Sequence, residues 1–147
     1  MTETAQIFAV LVAVTNAAAG LLGAWRWYTV EPSRAFWVLA RAGQAAAILQ
    51  AIAAGILAVG GFKPADRLYW LYALLPVAVS FVAEQLRIAS AQTVLDARGL
   101  PDAQAVGGLD ERGQRSVVLA IVRRELGVMA AAAVVIAFLA LRALGTV

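Results

Sequence analysis

Apolar residues dominate four long runs of the chain, at residues of about 6–25, 36–60, 68–88 and 125–144. A helix that crosses a membrane needs about 20 predominantly apolar residues, which rise about 1.5 Å each and so match a hydrocarbon core of about 30 Å. Each run meets this requirement. The pattern therefore predicts an all-α membrane protein, a four-transmembrane-helix bundle that forms a single integral-membrane domain over residues 1–147.

The polar stretch between the third and fourth runs, residues of about 89–124, is the only sizeable connection. Apolar positions continue at helical spacing over residues 84–98. Gly99 and Pro101 are typical of residues that end a helix. We therefore expect the third helix to continue beyond its apolar run and to form one arm of a cytoplasmic helical hairpin.

The second arm of this hairpin is predicted from the residues that follow. Gly107 and Gly108 favour a flexible turn, and the Asp110 side chain suits the N-cap of a new helix. The charged residues 123–125 are costly to place in hydrocarbon. We therefore expect this helix to lie in the cytoplasm or at the interface, and to turn into the fourth span near Glu125.

The composition agrees with a membrane protein and narrows the chemistry. Apolar residues make up 63% of the chain and charged residues 14%, and the mean hydropathy is +0.81. A soluble domain carries about 25% charged residues. The chain has no Cys and no His, which removes disulfides, thiol nucleophiles, the commonest metal ligands and the commonest general base. We expect no catalytic residue, no cofactor and no metal site.

Positive charge predicts the orientation, since basic residues accumulate on the cytoplasmic side of a membrane. Nine of the 12 basic residues lie in the first and third connections and the adjoining helix ends. These nine are Arg26, Arg34, Arg41, Arg87, Arg98, Arg112, Arg115, Arg123 and Arg124. We therefore expect both termini outside the cytoplasm, in a multi-pass protein of the inner (plasma) membrane. The Ala-rich, Arg-over-Lys composition favours a bacterial origin.

A layer of polar residues near the cytoplasmic helix ends is the candidate site. Charges inside spans are rare and expensive, so each is a functional-site hypothesis. Arg41 and Glu84 both lie about 7 Å inside their helices, and we expect them to form an ion pair with Arg87 or Arg124 nearby. The full set of candidate residues is Arg41, Gln44, Ser80, Glu84, Arg87 and Arg124.

The same layer also allows a purely structural interpretation. Arginine side chains near helix ends reach the headgroups, and Glu84 can pair with Arg87 three residues along its own helix. Pro76, Ser80 and Glu84 share one helix face, where a proline kink could line a water-filled crevice. Proline is nevertheless tolerated in membrane helices for structural reasons alone.

Two amides and several small residues indicate helix packing. Asn16 and Gln50 lie in mid-span, and we expect each to hydrogen-bond a neighbouring helix. Small residues at four-residue spacing permit helices to approach closely. They are Ala47, Ala51 and Gly55 in the second run, and Gly127 and Ala131 in the fourth.

The expected partners are lipids rather than nucleic acid. Arg112, Arg115, Arg123 and Arg124 in the long connection predict contact with anionic lipid headgroups at the cytoplasmic face. A homo-oligomer or a membrane-protein partner is a further expectation, because close-packing surfaces serve contacts within one chain and between chains alike.

Two classes of function stay open. The first is a small polytopic inner-membrane protein that is not an enzyme and acts as an accessory or assembly subunit through helix packing and its hairpin. The alternative is an oligomeric small transporter or channel subunit that uses the polar layer around Arg41 and Glu84. In length and span count the chain is similar to small multidrug transporters. Their membrane-embedded Glu in the first helix has no counterpart here, where the only acid of that helix is Glu3 at its start.

Overall fold

The computed structural model describes residues 1–147 as six α-helices without any strand. The helices are α1 (Thr2–Thr29), α2 (Arg34–Val59), α3 (Leu68–Ile88), α4 (Ser90–Ala97), α5 (Ala103–Gly107) and α6 (Glu111–Leu144). Four of them, α1, α2, α3 and α6, are long and apolar enough to cross a membrane. The predicted all-helical architecture with four candidate spans is thereby confirmed.

The four long helices form an up-and-down bundle. In the order α1, α2, α3, α6 each packs on the next, and α6 closes the ring by its extensive packing on α1. The α2–α3 loop and both termini meet at one end, which we call the terminal end; there the Asp66 N–H donates to the Thr146 carbonyl at 3.2 Å. The α1–α2 loop and the segment with α4 and α5 lie at the other end, which we call the connection end.

Small residues let the helices approach closely, but only in part where the four-residue spacing predicts: Ala47 is buried and Gly127 packs against Trp27. A Cβ atom on Gly20 would lie 2.7 Å from Val134 Cγ2, and one on Gly23 would lie 2.8 Å from the Ala130 Cβ. The α1–α6 contact therefore depends on these glycines. On α2, a Cβ atom on Gly55 would meet nothing within 4 Å, so the predicted ridge through Gly55 is wrong at that residue.

The long connection is more helical and more segmented than predicted. The third helix ends at Ile88, and α4 follows after a break at Ala89. Gly99, in the left-handed conformation with a φ of 66°, ends this arm, as glycine does readily because it lacks a Cβ. Gly107 is the last residue of the short helix α5 rather than part of a flexible turn.

The second arm of the hairpin and the fourth candidate span are one helix. The Asp110 side chain accepts a hydrogen bond from the Gly113 N–H at 2.8 Å, which makes it the N-cap of α6. From there α6 runs without a break through Glu125 to Leu144. The predicted boundary near Glu125 is therefore not a structural one, because no proline interrupts the helix and its two glycines, Gly113 and Gly127, are tolerated within it.

Candidate functional site

An ion pair joins α2 to α3 near the connection end. The guanidinium of Arg41 donates from Nη1 to Glu84 Oε1 at 2.6 Å and from Nη2 to Oε2 at 3.4 Å. These two residues are 43 positions apart in the chain. The structure thus brings together the two charges that helix depth alone predicts to be neighbours.

Two further side chains complete the coordination of the Glu84 carboxylate. Gln44 Nε2 donates to Oε1 at 2.9 Å, while Gln44 Oε1 accepts from Arg41 at 2.7 Å. Arg87 Nε donates to Oε2 at 2.9 Å, and its guanidinium lies 5.8 Å from the centre of the Trp37 ring. Glu84 therefore has both its cross-helix partner and its partner on its own helix. We call Arg41, Gln44, Glu84 and Arg87 the Glu84 cluster.

The two charged partners of the α2–α3 ion pair lie at the outer seam between these helices rather than on the bundle axis. The side chain of Glu84 is 22% exposed and that of Arg41 is 51% exposed. With two arginines and one carboxylate, the cluster carries a formal charge of +1. It can therefore hold two helices together and still present a guanidinium to its surroundings.

The other two candidate residues do not join the cluster. Ser80 Oγ donates to the Pro76 carbonyl at 2.8 Å. Together with Asn16 and Gln44 it lines a cavity of about 10 Å³, which is about the size that one water molecule occupies. Arg124 is exposed and lies on α6 beside a separate depression. The depth of Arg124 along α6 predicts its level in the bundle. The rotation of α6 about its own axis, however, directs the Arg124 side chain away from the Glu84 cluster.

The two mid-span amides differ in their hydrogen bonding. Asn16 is 1% exposed, and its Nδ2 donates to the Val12 carbonyl on α1 at 3.0 Å and to the Gly43 carbonyl on α2 at 3.2 Å. Gln50 is also 1% exposed, but neither its Oε1 nor its Nε2 has a hydrogen-bond partner. The expected hydrogen bond from Gln50 to a neighbouring helix is therefore wrong.

A second group of residues lies at the connection end, where the sequence predicts Arg123 as a headgroup contact but does not predict its contact with Trp27. The guanidinium of Arg123 lies 5.1 Å from the centre of the Trp27 ring. The Trp27 indole packs so closely on α6 that a Cβ atom on Gly127 would lie 2.9 Å from its Nε1. The signal was an aromatic residue at the end of the first apolar run and a basic pair at the start of the fourth. Only the packing of α1 on α6 shows that they meet.

The comparisons with known proteins leave the site to be interpreted from its own geometry. No family model matches the chain, and no curated protein and no solved structure is significantly similar to it. No group of three or more carboxylate side chains lies together so as to hold a metal ion.

Proposed function

We propose that the chain is an integral protein of the inner membrane, with α1, α2, α3 and α6 crossing the bilayer. The support is the length and apolar character of these helices and the unequal distribution of charge. Nine of the 12 basic residues lie towards the connection end, and basic residues favour the cytoplasmic side. In this proposal the connection end lies in the cytoplasm and both termini lie outside it.

Within that membrane the protein acts as an accessory or assembly subunit and not as an enzyme. One observation carries this proposal: α6 extends beyond the bundle and is covered there by α4. Its 34 residues rise about 50 Å, whereas the hydrocarbon core is about 30 Å thick, so about 13 residues remain outside. A packed helical unit at the end of a bundle offers a surface to a partner protein.

The contacts within this unit support an ordered surface. Leu95 of α4 and Val117 of α6 are both buried. Arg98 Nη1 donates to Ser116 Oγ at 2.8 Å, and its Nη2 donates to the Ser116 carbonyl at 3.4 Å. Val118, on the same turn, is left 53% exposed. The unit therefore has its own small core and presents an apolar side chain among exposed arginines.

Purification from native membranes tests this proposal. The variant Arg112→Glu/Arg115→Glu reverses two exposed charges on the extension of α6, while Arg34→Glu reverses an exposed charge in the nearby α1–α2 region as a control. We expect a stoichiometric partner to co-purify with the wild type and the control, and to be lost from the double variant. Equal recovery with all three proteins would contradict a role for the extension.

A small transporter or channel subunit is the second candidate, favoured by the position of the Glu84 cluster. Because the cluster opens at the outer seam of one chain, a pathway along it requires a second copy to close it. Ion flux in proteoliposomes that is abolished by Glu84→Gln, with the oligomer intact, would favour this candidate. No flux in either protein, across protons and several cations, would leave the accessory role as the better explanation.

A further inference from the structure

A basic depression and an apolar groove meet on the α1–α6 side of the connection end. The depression has a volume of about 440 Å³ and is lined by Trp27 together with Arg123 and Arg124. Neither arginine has a carboxylate partner within ion-pair distance. Glu125 follows directly, but its side chain does not line the depression.

The apolar groove runs from this depression along the outside of α1 and α6. It has a volume of about 630 Å³, and six of its seven lining residues are hydrophobic. Its lining on α6 reaches from Gly127 to Val135, a rise of about 12 Å. The hydrocarbon of one leaflet is about 15 Å thick. The groove thus follows α6 through most of one leaflet.

The two features are continuous because they share two residues. Trp27 and Gly127 line both the depression and the groove. The Trp27 ring lies 5.1 Å from the guanidinium of Arg123 and also packs against the backbone of Gly127, one turn further along α6. An indole at this position suits the boundary between headgroups and hydrocarbon. A ligand that fits the whole surface must be anionic at one end and long and apolar at the other.

We propose that this surface is a binding site for one anionic phospholipid. The phosphodiester lies against the guanidinium groups of Arg123 and Arg124, which match phosphate geometry, and one acyl chain lies in the groove beside Ala131. This proposal depends on the membrane embedding proposed above, but not on the accessory role. The proposal assigns lipid binding to Arg123 and Arg124 but not to Arg112 and Arg115, because the latter pair lines neither the depression nor the groove.

Lipid binding by the purified full-length protein tests the site. Native mass spectrometry would count the lipids retained from equal amounts of phosphatidylglycerol and phosphatidylcholine with identical acyl chains. We expect one phosphatidylglycerol to be retained preferentially, and its binding to weaken about thirtyfold in Arg123→Gln/Arg124→Gln, since each of the two basic residues contributes on the order of 1 kcal/mol at an anionic surface. Arg112→Gln/Arg115→Gln removes the same charge from the same helix and should leave binding unchanged.

A second variant tests the groove without changing any charge. Ala131 is exposed, so Ala131→Trp fills the groove without entering the core, and we expect it to weaken phosphatidylglycerol binding. Soluble glycerol phosphate should not displace the lipid, because it lacks the acyl chain. Equal retention of both lipids, equal weakening by both arginine pairs, or full displacement by glycerol phosphate would each overturn the proposal. Failure of the protein to insert into bilayers would be detected separately, because the wild type would then not float with phosphatidylcholine vesicles.

Discussion

Two buried amides show how differently single polar residues behave in the same apolar core. Asn16 donates to carbonyls of two helices, so these hydrogen bonds offset the cost of burying its amide group. Gln50 has no partner for either amide atom. A buried polar group without a partner costs about 1–3 kcal/mol. At the residue scale, Gln50 is therefore a source of instability, while Asn16 is a link between helices.

Replacing Gln50 with Leu should stabilise the protein. The substitution Gln50→Leu keeps a side chain of similar size and removes both unpaired amide atoms, so we expect the free energy of unfolding to increase by about 1 kcal/mol. Thermal unfolding in detergent, followed by circular dichroism, measures the change. Asn16→Ala serves as the control and should decrease stability by a similar amount, since it removes bonds that exist. A loss of stability in Gln50→Leu would mean that this amide is bonded in the folded protein.

At the scale of the helices, glycine positions set how close neighbouring elements lie. A Cβ atom on Gly43 of α2 would lie 2.7 Å from Asn16 Oδ1 on α1. The same helix has a second glycine, Gly55, whose Cβ would meet no atom within 4 Å. The two residues are chemically identical, and only the neighbouring helix distinguishes them.

Gly43 and Gly55 together provide a matched test of the α1–α2 contact. Gly43→Ala should decrease the free energy of unfolding by about 1–3 kcal/mol, because it crowds Asn16 and separates the helices. Gly55→Ala should increase it by about 0.5–1 kcal/mol, because alanine favours the helix and has free space there. Denaturant titration in mixed micelles measures both. Similar changes in the two variants would show that the α1–α2 contact does not depend on Gly43.

The Glu84 cluster is the second link between elements, and its pairing is measurable. We expect Arg41→Ala and Glu84→Ala each to destabilise the protein, and the double variant to lose about 1 kcal/mol less than the sum of the two. This modest coupling follows from the partial exposure of both side chains. The cycle of Arg34→Ala with Glu84→Ala should be additive, because Arg34 forms no ion pair with Glu84. Additivity in the Arg41 cycle as well would rule out the pairing.

At the scale of the whole molecule, the bundle divides the charges between its two ends. The terminal end holds Lys63, Arg67 and Arg142, and the connection end holds the other nine basic residues. An up-and-down bundle with an even number of long helices brings both termini to the same end. The sidedness of one loop therefore determines the sidedness of the entire protein.

Cysteine labelling tests this sidedness without background, because the native chain has no cysteine. Lys63→Cys lies in the α2–α3 loop and Gly107→Cys in the long connection, where a Cβ atom meets nothing within 4 Å. We expect a membrane-impermeant maleimide to label Lys63→Cys in intact cells and Gly107→Cys only after lysis. The opposite labelling would reverse the proposed orientation, and labelling of both in intact cells would contradict a membrane-spanning bundle.

The bounds of α2 and α3 follow closely from the sequence, but the start of α6 and the ends of the shorter helices do not. The third apolar run, residues 68–88, coincides with α3, since apolar content and helical length are local properties. The break at Ala89 and the helical state of Gly107 carry no such signal. They depend on how α4 and α5 pack against α6. Local propensity is a weak constraint where tertiary contacts compete with it.

The candidate site, too, could be predicted from the sequence only in part. The pairing of Arg41 with Glu84 could be predicted because an up-and-down bundle places equal depths of adjacent helices side by side. Equal depth also predicts that Arg124 joins the cluster, but in the structure Arg124 lies beside a separate depression. Depth along a helix follows from counting residues, but the direction of a side chain around the helix follows only from which neighbours the helix packs against.

The sequence by itself determined the class of protein, the presence of four long helices and the unequal distribution of basic residues between the two ends of the bundle. Hydrophobic run length and charge distribution are properties of the chain, and they act whatever the packing. Only the tertiary structure decided that Gly43 is crowded and Gly55 free, that Gln50 lacks a partner, and that Trp27 meets Arg123 across two helices. Each of these depends on the rotation and spacing of helices distant in sequence, which a small-residue pattern permits but does not specify.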